Sequence, residues 1–396
     1  MEISKLSKLI TPSGTMAISN KARILREQGK PVIGFGAGEP DFPTPEYVVK
    51  DVQVAAEDTS NHKYSPVAGL TILKDEIVRT SQLYSGINVQ QENILVSNGG
   101  KHAILTTFMS ILNPGDEVLI PSPYWTTYPE AVKISGGNPI IVDTEFDDDF
   151  KVNTDQLDAL KTSKTKILVW VSPSNPTGVV YTKEEAEKIY NWAFENNVWI
   201  LSDELYEHLV YEGMTSPSPA QYDTELNNTI IINGVAKAYS MTGWRVGWII
   251  ANTDVIDMAK KIQSHATSNV SNISQIAAYS ALKNGLNETK IMKESFNRRR
   301  LYAIEEFSNI ENVNLIKSTG AFYLFPDVSY YSSNGVINGV HNSIDFCNWL
   351  LDEYFIAFVP GEVFGKNGFL RCSYALSDDD LHEGLSRFSK AIKEIQ

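Results

Sequence analysis

Seven short apolar runs, at 94–96, 117–120, 139–142, 166–171, 198–202, 229–232 and 246–250, have strand length and are mostly bounded by Gly, Pro, Asn or Asp. Amphipathic patterns of helical period, such as 101–112 and 183–196, lie between several of them. This alternation predicts an α/β fold: a seven-stranded, mainly parallel sheet covered by helices on both faces. In such sheets ligands lie outside the carboxyl ends of the strands, so the residues just after each run are the candidates for chemistry. From about residue 286 the rhythm changes. A long charged helix at 286–308 leads into Gly320-Ala321-Phe322-Tyr323-Leu324-Phe325, then a helix at 343–354, short strands near 356–359 and 369–374, and a helix at 378–393. This pattern predicts a smaller α/β domain, and the first 40-odd residues, too few for a core of their own, are expected to pack on it. The expected division is 45–285 for the large domain and 1–44 plus 286–396 for the small one.

Composition narrows the class. The 396 residues are 42% hydrophobic and 21% charged, which excludes a disordered or fibrous chain. Thirty-four Lys and Arg against 48 Asp and Glu give a formal charge of −14, a field that repels nucleic-acid backbones. An anionic ligand must then be held by a few placed cations. Two cysteines, Cys347 and Cys372, are too few for a disulfide framework or a thiolate metal cluster and fit reduced thiols; no metal is expected. Residues 1–30 interleave charged and apolar positions without the apolar core of a signal peptide, and no apolar run of about 18 residues occurs. The expectation is a cytoplasmic protein without a membrane span.

The candidate residues follow the runs. Asn98-Gly99-Gly100-Lys101-His102 follows the first and opens a helix, where free N–H groups and the helix dipole suit one phosphate. Ser172-Pro173-Ser174-Asn175-Pro176-Thr177-Gly178 follows the fourth, with the Asn175 amide at a strand end. Ser202-Asp203-Glu204-Leu205-Tyr206 follows the fifth; Asp203 is either an acid awaiting a cation or a helix N-cap. Gly234-Val235-Ala236-Lys237-Ala238-Tyr239-Ser240 follows the sixth, and burial of its lone lysine would lower the pKa and free an amine for covalent chemistry. Arg245 comes eight residues later, just before the seventh run. Gly34-Phe35-Gly36-Ala37-Gly38 looks like a dinucleotide loop, but Pro40, Pro43 and Pro45 forbid the helix such a loop needs. It is read instead as a turn whose backbone approaches a ligand.

Together these segments resemble the class I pyridoxal-phosphate aminotransferases, especially the bacterial and archaeal branch of the aspartate aminotransferases. The resemblance runs from Gly36-Ala37-Gly38-Glu39-Pro40-Asp41-Phe42 to Leu370-Arg371-Cys372-Ser373-Tyr374 and is most specific around Lys237. It implies the fold type I architecture and pyridoxal 5′-phosphate as cofactor. Lys237 carries the cofactor as a Schiff base and moves the substrate proton. Asp203 pairs with the pyridine nitrogen, Asn175 and Tyr206 with the phenolic oxygen, and Trp125 stacks on the ring. Gly99, Gly100 and Arg245 hold the phosphate, together with Lys101 at the helix start. Arg371 grips the substrate α-carboxylate, assisted by the Gly38 N–H and with Asn175 and Trp125 beside it. Lys101 also pairs with the distal carboxylate of a dicarboxylic substrate. Tyr64 reaches the phosphate in the neighbouring subunit, which implies a homodimer with shared sites.

The expected function is transfer of the amino group of aspartate to 2-oxoglutarate by a ping-pong mechanism. The alternatives are an aromatic or broad-specificity aminotransferase, or another fold type I enzyme such as a C–S lyase, which would share Lys237, Asp203 and Arg371. A transcription regulator built on such a domain would need an added basic N-terminal domain and is not expected here. Two departures stand out. Gly234 replaces a serine that many relatives use to bind the phosphate, which removes one hydroxyl without removing the site. Thr11 precedes Pro12-Ser13, where relatives that also act on prephenate tend to carry a basic residue.

Overall fold

The computed structural model describes residues 2–12 and 14–395, so Ser13 of the Thr11-Pro12-Ser13 segment lies outside the described residues. All seven apolar runs become strands of one sheet: β1 (Ile94–Ser97), β2 (Glu117–Ser122), β3 (Asn138–Asp143), β4 (Thr165–Val171), β5 (Trp199–Asp203), β6 (Thr229–Gly234) and β7 (Gly247–Ile250). Their order is β1-β7-β6-β5-β4-β2-β3. Every pairing is parallel except the two made by β7, which runs antiparallel to both β1 and β6. The carboxyl ends of the other six strands therefore share one edge of the sheet with the amino end of β7.

The central strands are apolar throughout because both faces are covered. In β6, Ile231 packs with Leu73, Ile77, Ala277 and Ala281, from the helices Thr71–Thr80 and Asn272–Asn284. Its neighbours Ile230 and Ile232 point to the opposite face, as the two-residue period of a strand requires, and meet Ala103, Ile104 and Ala259. These belong to the helices Gly100–Ile111 and Thr253–Ala266.

The last third forms the helices Asn287–Ser308, Ser343–Tyr354 and Asp378–Lys393 around Phe296, Phe307, Leu350 and Phe388. A three-stranded antiparallel sheet joins Val359–Pro360, Leu370–Ser373 and Tyr323–Leu324. The N-terminal residues Ile18, Ala22, Val32 and Phe35 enter the same apolar cluster, and Ile33–Gly34 pairs in parallel with Ile356–Ala357. Residues 35–45 carry no helix; the next begins at Glu46, directly after Pro45. The proline argument against a dinucleotide loop therefore holds. Among the described residues no helix is long and apolar enough to cross a membrane, and no group of three or more His, Cys, Asp or Glu is placed to hold a metal ion.

Candidate active site

The site is built at the shared strand edge, beginning with backbone packed closely enough to demand glycine. Gly99 adopts φ +83°, and a Cβ there would lie 2.6 Å from the Arg245 guanidinium. A Cβ on Gly247 would lie 2.7 Å from the Gly100 nitrogen. The start of the helix Gly100–Ile111, the amino end of β7 and Arg245 are thus brought together by missing side chains. Arg245 itself is left-handed, at φ 57°, and its Nη1 donates to the Thr242 carbonyl at 2.9 Å. It forms no ion pair among the described residues. A cation without a carboxylate and a helix N-terminus without an acidic residue in its first turn meet at one point, an arrangement that suits a phosphate.

Asp203 ends β5 and is 4% exposed. Its Oδ2 accepts from the Tyr128 hydroxyl at 2.7 Å and its Oδ1 from the Leu205 N–H at 3.3 Å. Burial pushes its carboxyl above the ordinary range, against the opposing pull of these two donors and of Lys237. Turns follow it, not a helix, which disposes of the N-cap reading. Lys237, at the turn after β6, donates from Nζ to the Gly38 carbonyl. Loss of water and the nearby Arg371 charge lower its pKa to about 8, although Glu39 and Asp203 oppose the fall. Tyr206 is buried, and its hydroxyl shares a 2.8 Å hydrogen bond with that of Tyr323.

Arg371, in the strand Leu370–Ser373, is 3% exposed and meets no carboxylate among the described residues. Nη1 donates to Asn175 Oδ1 at 3.0 Å and Nη2 to the Gly36 carbonyl at 2.9 Å, while the buried Nε has no partner. The guanidinium lies over the rings of Tyr323 and Phe364. An arginine held in a fixed plane by neutral acceptors, with one donor unsatisfied, is equipped to take a carboxylate. Lys101 Nζ sits 5.1 Å from the Trp125 ring centroid and also lacks an acidic partner; partial burial and Arg245 lower its pKa.

The structure therefore gathers Gly38, Gly99, Gly100, Lys101, Trp125, Asn175, Asp203, Tyr206, Lys237, Arg245 and Arg371 around one strand edge. Tyr64 stays apart, its side chain 91% exposed. Sequence reasoning missed Tyr128 and Tyr323. The latter stood in view within the run 320–325, one hydroxyl among apolar residues. Tyr128 carries no local signal, since its role comes from a contact 75 residues away. The reading of Gly234 gains a physical reason: a Cβ there would lie 2.9 Å from both Gly247 Cα and the Val246 carbonyl. Serine does not fit this backbone.

A family model described as aminotransferase class I and II matches residues 30–388. The chain belongs to that family and is a transaminase. It is 46% identical over 389 residues to the aspartate aminotransferase of Streptomyces avermitilis, covering 98% of this chain and 95% of that protein. Identity to a probable aspartate/prephenate aminotransferase of Aquifex aeolicus is 40%, over 99% of this chain and 98% of that one. The solved aspartate aminotransferase of Thermus thermophilus with maleate superposes with a TM-score of 0.92 at 35% identity, over 98% of this chain and 99% of that chain.

Two outcomes follow from the packing around the site. Gly234→Ser should destabilise the chain by about 1–3 kcal/mol, because the added atom overpacks a backbone contact. It should not strengthen phosphate binding. Denaturant melts and phosphate titrations test both; unchanged stability with tighter phosphate binding would contradict the steric account. The second concerns Glu204, which is 4% exposed and accepts hydrogen bonds from the hydroxyls of Ser202 and Ser218. Burial, and then the Glu207 charge, raise its pKa to about 8. The folded chain keeps this proton where the unfolded chain releases it, so stability from this group falls as pH rises from about 4.5 to about 8. Glu204→Gln does not titrate. Its melting temperature should therefore gain on the parent between about pH 4.5 and about pH 8. Parallel curves would show that Glu204 ionises normally.

Proposed function

We propose that this transaminase uses pyridoxal 5′-phosphate to move the amino group of aspartate to 2-oxoglutarate. The observation that carries the reading is the convergence of groups of the right chemistry whose charged members form no ion pair among the described residues. Arg245 and a bare helix start suit a phosphate, Asp203 suits a protonated ring nitrogen, Lys237 offers an amine, and the Arg371 Nε lacks an acceptor. When bound, the cofactor supplies an aldehyde that holds the amino group and a ring that accepts electrons from the substrate α-carbon.

The residues divide the remaining work. With a pKa of about 8, Lys237 is roughly one-quarter free amine near pH 7.5, against about one part in a thousand for an unperturbed lysine. It is therefore equipped both for covalent attachment and for carrying the α-proton. Asp203, kept from water and braced by Tyr128, holds a proton on the ring nitrogen. Tyr206 and Asn175 serve the phenolic oxygen, and Trp125 the ring face. Gly99, Gly100, Lys101 and Arg245 hold the phosphate. Arg371 takes the α-carboxylate in its fork, with the Gly38 N–H, Asn175 and Trp125 beside it. One site serves donor and acceptor in turn, the pattern of a ping-pong enzyme.

The names of the relatives support aspartate over an aromatic donor, and maleate in the Thermus structure is itself a dicarboxylate. Thr11 supports aspartate without prephenate, and its N–H is engaged by Glu130 Oε2 at 3.0 Å. The division into 45–285 and 1–44 plus 286–396 belongs to the same reading. So does a cytoplasmic location, which the two buried free thiols support. The homodimer is supported by Tyr64. Asn272 Nδ2 binds the Lys63 carbonyl at 2.8 Å, so the backbone beside Tyr64 is fixed while its ring projects into solvent. A fixed, projecting aromatic residue suits a second subunit.

Lys101 tests the substrate. A charged contact to the distal carboxylate contributes about 1.5–3 kcal/mol, a preference of roughly 10–150-fold. With cofactor at saturation, so that its role at the phosphate does not intrude, Lys101→Ala should lower kcat/KM for aspartate by about that factor and leave phenylalanine much less affected. Equal losses for the two donors would remove Lys101 from side-chain recognition and favour the broad-specificity reading. The shared site is tested by mixing Tyr64→Ala with Lys237→Ala, each inactive alone. Refolded together, they should recover part of the activity, because one intact site forms in each mixed dimer. No recovery, with mixed dimers demonstrated, would argue for sites complete within one chain.

A further inference from the structure

We propose that the Asp41–Arg299 ion pair positions the carboxylate grip, by holding the loop of residues 36–41 whose carbonyls align both Arg371 and Lys237. The inference rests on the reading that Arg371 takes the substrate α-carboxylate. Within this loop the Gly36 carbonyl accepts from Arg371 Nη2 at 2.9 Å, and the Gly38 carbonyl accepts from Lys237 Nζ. One short piece of backbone thus sets the relation between the group for the carboxylate and the group for the amine. Yet Gly36, Ala37 and Gly38 carry almost no side chain with which to wedge the loop in place. Its position depends on what grips it at either end.

At the N-terminal end the grip is backbone: the Phe35 N–H donates to Ala357 and the Phe35 carbonyl accepts from Ser373, both at 2.8 Å. At the other end it is Asp41. Both its carboxylate oxygens meet Arg299 Nη1, at 2.9 and 3.0 Å. Arg299 is itself well fixed. It projects from the helix Asn287–Ser308, its side chain is 9% exposed, and it lies over the Phe42 and Phe296 rings. Its Nε donates to Asp378 Oδ1 at 2.6 Å, in the first turn of the helix Asp378–Lys393, and the other Asp378 oxygen is taken by Arg298. A rigid fork already braced by one carboxylate leaves Asp41 little freedom. On the opposite side the loop is tied to the segment beyond Lys237. There Glu39 accepts from the Thr242 hydroxyl, and Thr44 donates to the Ser240 carbonyl while accepting from Trp244 Nε1. Asp41 makes the loop's one ion pair among the described residues.

The consequence differs from that of Lys101. A slack loop misorients Arg371 for every carboxylate ligand, whatever its side chain. The test uses two non-reacting ligands on the holoenzyme, succinate and 3-phenylpropionate, with dissociation constants from calorimetry. Asp41→Asn and Arg299→Ala should each weaken both ligands by about tenfold or more, since small misplacements of a binding group have effects of this size. KM for aspartate should rise with them, and any fall in kcat, through the Lys237 contact, should accompany that rise and not replace it. The double variant should be no weaker than the worse single one, because both remove the same contact. Arg299→Ala also strips Asp378 of a partner, so if it does not fold, Asp41→Asn decides the matter. Arg371→Ala is the reference. If it leaves both ligands bound as in the parent, the assignment of Arg371 fails. If it weakens them while Asp41→Asn binds as the parent does, or loses kcat at constant KM, the positioning role is overturned.

Discussion

Three cations, Lys237, Arg245 and Arg371, are drawn to one edge of a sheet, and their mutual repulsion is the constraint that organises the rest. Burial pushes the Lys237 amine toward its neutral form, and the charges of Arg371 and, least, Arg245 push it further. Such a cluster is costly to assemble. The chain manages it by placing neutral oxygens against the positive groups: Thr242 on Arg245, Gly36 and Asn175 on Arg371, Gly38 on Lys237. Carbonyls and amides fix orientation without cancelling charge. Carboxylates in the same places would have sealed the site against anions. In a chain of net charge −14, this is how a local positive field survives, as the proposed phosphate and carboxylate sites require.

The topology supplies the convergence. Asn98–Gly100, Asn175, Asp203 and Lys237 follow the carboxyl ends of strands that all point one way. Arg245 precedes its strand and would lie at the far edge of the sheet if β7 were parallel. Because β7 is antiparallel, its amino end joins the others. Gly99, Gly234 and Gly247 then allow β6, β7 and the phosphate-binding helix to approach to contact. The missing serine at Gly234 is thus part of a closer backbone packing, and the hydroxyl lost there could not be accommodated.

Much of this was legible in the sequence because it is local. Continuous apolar runs mark doubly covered strands, and most of the candidate residues stand one to five positions beyond them. The helices 343–354 and 378–393 were read to the residue, since their apolar period and caps are both strong. The direction of β7 was not legible: Gly-Trp-Ile-Ile reads alike in either direction. Tyr128, Tyr323 and the Asp41–Arg299 pair escaped for another reason. Each acts across 75 to 258 residues of chain, and nothing in the local pattern distinguishes it from packing.

The proposed carboxylate and phosphate grips rest on different bodies of structure. Arg245 and the helix start belong to the large sheet. Arg371 belongs to the small antiparallel sheet and leans on a loop tied to both. Lys237 stands between, rooted after β6 but hydrogen-bonded to that loop. On the proposed reading, a substrate held by its α-carboxylate at Arg371 is registered against the amine through the Gly36 and Gly38 carbonyls. The proposed reader of the distal carboxylate, Lys101, stands apart from that loop, on the first turn of the helix Gly100–Ile111. On that reading, side-chain selectivity can change at that turn while Arg371 and the loop 36–41 keep their places.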